Sequence, residues 1–298
     1  MSSQSQHAKG LMITGFGGLI LTFDIPLILL AKGDTWSVML VRSIGTFLAA
    51  LVIWTVWRSF SRNAPSLAPG WTGVAVAGLY GLTSILFMLA LYKTSPANVA
   101  FILAFNTVFA ALLSWIFLNE RPRAVTLVAM AVMLGGVLLI VGDSLGGGSA
   151  VGDLLALASS FTVASAITLT RASGRDMGLT ALSGVLLPLV IAAIVVAGHG
   201  YRIDVPWWII FNGAIVMPLA FYCLATGPRW LSGPEVAMFY LLETVLAPVW
   251  VWMIFDETPS RSALIGGVII IATLVVHSLW QLISGRRRPA VQAPQSVG

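Results

Sequence analysis

Charge is scarce in this sequence. Asp, Glu, Lys and Arg make up 9% of its 298 residues while 58% are hydrophobic, and an average globular domain carries about a quarter charged residues. Such a chain is a membrane protein and not a soluble domain. Cysteine is almost absent: Cys223 stands alone within an apolar block, which excludes an internal disulfide and a cysteine metal cluster. The three histidines lie far apart, so the clustered histidine and carboxylate groups that a membrane-embedded lipid-modifying enzyme would need are missing. No metal and no cofactor are expected. Long polar loops are lacking too. The longest, "RSFSRNAPSLAPG", leaves no room for a soluble catalytic or nucleotide-binding domain. The glycine runs "GFGGL" and "GDSLGGGSAVGD" do not follow a strand and open a helix as a phosphate cradle must. They read as close helix packing and as a flexible connector between halves. No filter-like loop or charged ring suggests a channel.

What is present is a series of apolar blocks of about twenty residues, the length a helix needs to cross a hydrocarbon core of about 30 Å. Short alternating segments of the kind a barrel shows are not seen. The blocks give ten expected spans: 11–31, 35–57, 71–91, 97–118, 124–141, 151–171, 179–198, 207–226, 236–255 and 262–282. The polar start "MSSQSQHAKG" runs into the first span without a small-residue cleavage site, so that helix is expected to be retained. An even span number puts both termini on one side. Lys9, Arg58, Arg62, Arg121, Arg123, Arg171, Arg175, Arg229 and Arg286 to Arg288 fall on that side, and only Lys32, Lys93, Arg202 and Arg261 fall opposite. The positive-inside rule then places both termini in the cytoplasm. The net charge of +5 reads as this topology signal and not as nucleic-acid binding. The tail 285–298 has a disordered composition.

Residues 98–122, "NVAFILAFNTVFAALLSWIFLNERP", align without a gap on residues 235–259, "EVAMFYLLETVLAPVWVWMIFDETP". Val99, Ala100, Thr107, Val108, Ala110, Trp115, Glu120 and Pro122 recur as Val236, Ala237, Thr244, Val245, Ala247, Trp252, Glu257 and Pro259. Five spans separate the copies, and five is odd, so the second copy is inverted. An all-α membrane protein of two inverted five-helix repeats is expected, with residues 1–145 as the first and 146–284 as the second. Many secondary transporters build a mid-bilayer site this way.

These paired segments resemble the motif of EamA-type carriers of the drug/metabolite transporter superfamily, and the resemblance extends over nearly the whole chain. It implies a bacterial inner-membrane carrier of a small organic solute working by alternating access. Within the superfamily the chain is similar to exporters of aromatic amino acids. An aromatic or other neutral amino acid is therefore the expected substrate, with other metabolites or drugs as the alternative. The family often shows "LLEPV" where this chain has Leu241, Leu242, Glu243, Thr244 and Val245, its proline standing instead at Pro248. Coupling, direction and oligomeric state are not read from these residues; a monomer is a workable form.

Tyr80, Ser84 and Phe87 share one helical face, an aromatic and hydroxyl surface suited to an amphipathic solute, and are expected to line the pathway. Asn106, Thr162, Ser165 and Tyr240 are further pathway candidates; helix-packing glue is the competing reading for the small polar ones, interfacial anchoring for the tyrosine. Asp24 and Arg42 lie at matched depth, about seven residues inside two antiparallel spans joined by a short loop, so an ion pair is available. It reads as a buried clamp, with a gate or carboxylate site as the alternative. Glu243 stands in an apolar run opposite its repeat partner Asn106. Since position 106 demands polarity but not charge, Glu243 is expected to be structural and hydrogen-bonded across helices; the alternative is to meet a substrate ammonium or carry a proton. Pro26, Pro188, Pro218 and Pro248 mark expected bends.

Overall fold

The computed structural model describes residues 3–60, 70–119, 121–122, 124–147, 149–173, 179–226 and 233–286. They form fourteen α-helices and one π-helical turn: α1 (Ser3–Leu21), α2 (Asp24–Leu30), α3 (Thr35–Phe60), α4 (Gly70–Leu91), α5 (Pro96–Leu103), α6 (Asn106–Leu118), α7 (Ala124–Gly147), α8 (Ala150–Ser173), α9 (Thr180–Ser183), α10 (Leu186–His199), α11 (Pro206–Phe211), the π-turn (Asn212–Val216), α12 (Met217–Thr226), α13 (Gly233–Phe255) and α14 (Arg261–Arg286). Seven segments are long and apolar enough to cross a membrane, from Ala8–Leu30 to Pro206–Leu224, and Leu186–His199, Leu242–Phe255 and Arg261–His277 are shorter apolar helices. The protein is an all-helical, multi-pass membrane protein. Of the flexible connector expected in "GDSLGGGSAVGD", the described residues are largely helical instead, since α7 runs to Gly147 and α8 begins at Ala150, Gly148 lying outside the described residues.

Four of the apolar segments are interrupted, and proline explains three of these. Pro26 and Pro188 are the third residues of α2 and α10. A proline there lacks only an N–H that a helix start leaves unused, but its ring crowds the carbonyl four residues back and ends the preceding helix. Pro218 follows the π-turn in the same way, being unable to donate to Ala214 inside it. Pro248, by contrast, lies within the uninterrupted α13, so the bend expected there does not divide the helix. The break between α5 and α6 has no proline. Around the breaks, hydroxyls add to carbonyls that keep only a short-turn backbone bond: Thr22 Oγ1 donates to the Leu19 carbonyl at 2.7 Å and Ser160 Oγ to that of Ile102 at 3.0 Å. Inside a membrane this replaces the water that would otherwise satisfy them.

The packing is reciprocal between the two halves. α4 lies on α8 as α12 lies on α1, α6 on α8 as α13 on α1, while α3 meets α10, α5 meets α13 and α7 meets α14. The glycines of "GFGGL" serve the close packing expected of them, with Gly17 against Cys223 of α12 and Gly18 against Phe239 and Leu242 of α13. At one end the connectors 31–34 and 200–205 pair: Gly33 and Ile203 form an antiparallel bridge, and the Asp34 N–H donates to the Arg202 carbonyl at 3.1 Å. The largest buried cluster gathers Ile28, Met39, Met88, Ile102 and Ile209 beneath that end.

Candidate functional site

The break between α1 and α2 and the π-turn meet at a polar cluster deep in the bundle. Asp24 is the first residue of α2, Arg42 lies two turns into α3, and Asn212 opens the π-turn. All three are buried. Arg42 Nη2 donates to both carboxylate oxygens of Asp24, at 3.0 and 2.9 Å. Its Nε donates to Asn212 Oδ1 at 3.1 Å, and Asn212 Nδ2 donates in turn to Asp24 Oδ1 at 2.7 Å and to the Asp24 carbonyl at 3.3 Å. The amide thus bridges cation and anion. Gly213 lets this happen: a Cβ there would overlap the Arg42 carbonyl, so α3 and the π-turn touch backbone to backbone. Thr46 ties the contact by donating to the Arg42 and Gly213 carbonyls, both at 3.0 Å. A charge pair out of water needs this degree of hydrogen bonding to offset its desolvation.

The ion pair expected from matched depth is therefore present, and two of the three residues of the expected α4 face join it. Arg42 Nη1 reaches Ser84 Oγ at 3.4 Å and its guanidinium lies 5.9 Å from the Phe87 ring centroid. Tyr80, the third, is half-buried and packs on Val76 and Ala166 where α4 meets α8. Thr162 shares a hydrogen bond with Thr83 at 2.8 Å and Ser165 returns its hydroxyl to the Phe161 carbonyl at 2.8 Å. These two bonds are helix-packing glue and helix self-capping respectively. Asn106 is half-buried at the start of α6, beside the break. The side chain of Tyr240 lies outside the described residues.

Glu243 departs from expectation. It is half-buried, yet the hydrogen bond across helices that a structural carboxylate should make is not found among the described residues. Its helix packs on α2, which opens with Asp24. α13 is held in that orientation by Phe239 and Leu242 against the glycines of α1, and by Trp250, whose Nε1 donates to Thr22 Oγ1 at 3.0 Å and whose ring stacks on Phe23 at 5.1 Å.

Sequence reasoning missed Asn212, an uncharged residue in an apolar run; the following glycine and the proline six residues on were the available signal. It also missed Asp153. That carboxylate is fully buried in the first turn of α8, where it accepts from the Thr94 hydroxyl and, at 3.2 and 3.4 Å, from Asn98 Nδ2. Beside the first cluster, α3 on one side and α11, the π-turn and α12 on the other line an open apolar groove of about 1060 Å³, with Gly45, Leu48, Val52, Ala214, Pro218 and Tyr222 among its residues.

Comparison with known proteins matches this architecture. A crystal structure of 16% sequence identity superposes with a TM-score of 0.64 over 92% of this chain and 98% of its own, a likeness of fold. The pseudopaline exporter CntI of Pseudomonas aeruginosa strain PAO1 is 22% identical over 241 residues, covering 79% of this chain and 83% of that protein. Human solute carrier family 35 member F3 is 32% identical over 104 residues, which is 34% of this chain and 25% of the relative. The model of the EamA-like transporter family matches twice, at residues 14–142 and 150–279. That assignment sets aside the lipid-modifying enzyme, and the chain belongs to the EamA-like transporter family, a solute transporter of the membrane.

Proposed function

We propose that the protein is a secondary exporter of a small organic solute, an aromatic or other neutral amino acid, working by alternating access in the bacterial inner membrane. The observation that carries this reading is the Asp24–Arg42–Asn212 cluster, held by elements of both halves at a helix break and a π-turn. Transporter sites of this kind lie near mid-bilayer where discontinuous helices meet. The seven long and three shorter apolar segments fall on the ten spans read from the sequence, and the reciprocal packing of α4 on α8 and α12 on α1 supports two inverted five-helix repeats, 1–145 and 146–284. Both termini face the cytoplasm in this arrangement. The paired connectors 31–34 and 200–205 then close the outer side, and the inner side is the one from which solute enters. Tyr80, Ser84 and Phe87 line the route, with Asn106, Thr162, Ser165, Tyr240 and Glu243 as further candidates.

The relative that exports pseudopaline favours one alternative, a larger metabolite carried in the same fold. A panel of labelled amino acids offered to proteoliposomes decides between them. Accumulation of phenylalanine, tryptophan or leucine supports the reading, and inertness to the whole panel refutes it. A reporter fused at the C-terminus that is active only outside the cell would refute the topology.

A further inference from the structure

A zwitterionic solute offers two handles, a carboxylate and an ammonium, and the hydrogen-bond inventory of the cluster distinguishes them. Arg42 would be the obvious partner for a carboxylate. Its Nη2 is committed to both oxygens of Asp24 and its Nε to Asn212, which is itself fixed by two bonds to Asp24. Nη1, which reaches Ser84 Oγ at 3.4 Å, is the one nitrogen not bonded to the cluster, and a carboxylate that grips the guanidinium through two nitrogens would have to displace Asp24 or Asn212 and leave a buried group without a partner, which is strongly unfavourable. The pair is self-neutralised and the amide seals it.

Glu243 has the opposite inventory. Among the described residues no donor reaches its carboxyl, although its helix α13 packs on α2, whose first residue is Asp24. It retains some exposure while its neighbours along the same helix, Thr244, Ala247 and Val251, are buried. With Glu243 ionised, the formal charges of Asp24, Arg42 and Glu243 sum to one negative charge, which a single cation would neutralise. The nearby side chains are apolar: Phe239 and Leu242 pack α13 on the glycines of α1, and Phe23 and Trp250 stack two turns further along. An ionised carboxylate accepts up to four hydrogen bonds and donates none, and an ammonium donates three.

Resting on the carrier reading, we propose that Glu243 is the substrate-binding residue and that it takes the ammonium group of a primary amine with an apolar or aromatic body, the carboxylate of an amino acid being dispensable. Asp24, Arg42 and Asn212 then form the fixed wall of the site, and Ser84 and Phe87 face the solute from α4.

Three compounds test this in proteoliposomes by competition with the labelled amine or amino acid that the protein carries best: L-phenylalanine, its methyl ester, which keeps the cation and masks the carboxyl, and N-acetyl-L-phenylalanine, which does the reverse. The ester is expected to compete within a few-fold of phenylalanine and the N-acetyl compound at least tenfold more weakly. Glu243→Gln should weaken both amine ligands at least tenfold with an unchanged melting temperature, and Glu243→Asp should recover part of the loss, which excludes a folding defect as the cause. If the N-acetyl compound competes and the ester does not, or if Glu243→Gln binds amines as the parent does, the proposal is overturned while the carrier reading stands. Inertness to every primary amine and amino acid tested refutes both.

Discussion

Two buried aspartates in this protein solve one problem in different ways. Asp24 sits deep in the bundle and is matched by a full positive charge, Arg42, with Asn212 bridging the two. Asp153 is no less buried, but among the described residues no cation is bonded to it; neutral donors from Thr94 and Asn98 serve it, and it occupies the first turn of α8. There the helix dipole and unpaired N–H groups favour an anion. An uncompensated charge becomes more costly with distance from the interface, so the deeper aspartate needs a counter-ion while the one at a helix start does not. The partners differ in another respect. Thr94 and Asn98 belong to the corner between α4 and α5, and tie it to α8 of the other half. Arg42 and Asn212 join α3 to a π-turn, an irregular element of the kind frequently found at functional sites.

The same substitution at both sites tests this comparison most severely. Asp24→Asn leaves Arg42 buried without a counter-charge and should destabilise the protein by about 3–5 kcal/mol. Asp153→Asn keeps an oxygen for its donors and should cost about 1–2 kcal/mol. Unfolding midpoints in mixed micelles would read both, and equal losses would break the distinction. Removing both charges of the deep pair, Asp24→Leu with Arg42→Met, should recover much of the stability, because a buried pair is often no better than apolar packing. Transport need not recover with it.

A smaller effect sharpens the role of the bridge. Asn212→Leu preserves both charges and removes the amide between them, leaving Arg42 Nε without its acceptor. The expected loss is about 1–3 kcal/mol, the desolvation cost of an unmet buried donor. Asn212→Asp, which adds a second anion beside Asp24, should do more harm than Asn212→Leu. The reverse order would mean that Arg42 has charge to spare and that the pair is not self-neutralised, which would also weaken the case for Glu243 as the amine receptor.

The pair was legible in the sequence because a short loop fixes the relative depth of two antiparallel helices; Asp24 and Arg42 needed no knowledge of the rest of the fold. The third member was not. Asn212 lies 170 residues from Arg42 along the chain, and its direction is set by a π-turn, which inserts a residue and shifts the helical phase on which face assignments depend. Asp153 was hidden for a related reason: it ends the glycine-rich stretch "GDSLGGGSAVGD", which reads as a connector, whereas the donors that define its role lie 59 and 55 residues away. Of the interruptions, those at Pro26, Pro188 and Pro218 follow from the ring. The break before Asn106 has no proline; a local hydroxyl, Thr107, donates to the Ala104 carbonyl at 3.1 Å, but the second, Ser160 on that of Ile102, comes from the other half. Spacing puts Tyr80, Ser84 and Phe87 on one face, and within it Ser84 and Phe87 reach Arg42 while Tyr80 packs on Val76 and Ala166 where α4 meets α8.

The smallest effect concerns a third carboxylate, at the end of the span and outside it. Asp34 precedes α3 and its Oδ1 accepts from the N–H groups of Trp36 and Ser37 at 3.0 and 3.1 Å, the geometry of an N-cap. Desolvation is the largest single influence on this group and opposes its charge, but the bonds from the Ser37 hydroxyl and from the Ser37 and Trp36 amides together outweigh it, and its pKa lies below the ordinary value of 3.8. Neither a counter-ion nor full burial is involved, so Asp34→Ala should cost only about 1 kcal/mol, as caps usually do. The pH dependence carries the sign of a depressed carboxylate. The contribution is fully present above the unfolded value and disappears as the pH falls through the folded one. The difference between parent and Asp34→Ala should therefore be constant from neutral pH down to about 5 and close below about 4, near the reference carboxylate value. Melting curves across that range would check it; a gap that widens on acidification would show that Asp34 is held in its protonated form, and would remove it from the series that runs from Asp24 through Asp153 to the membrane surface.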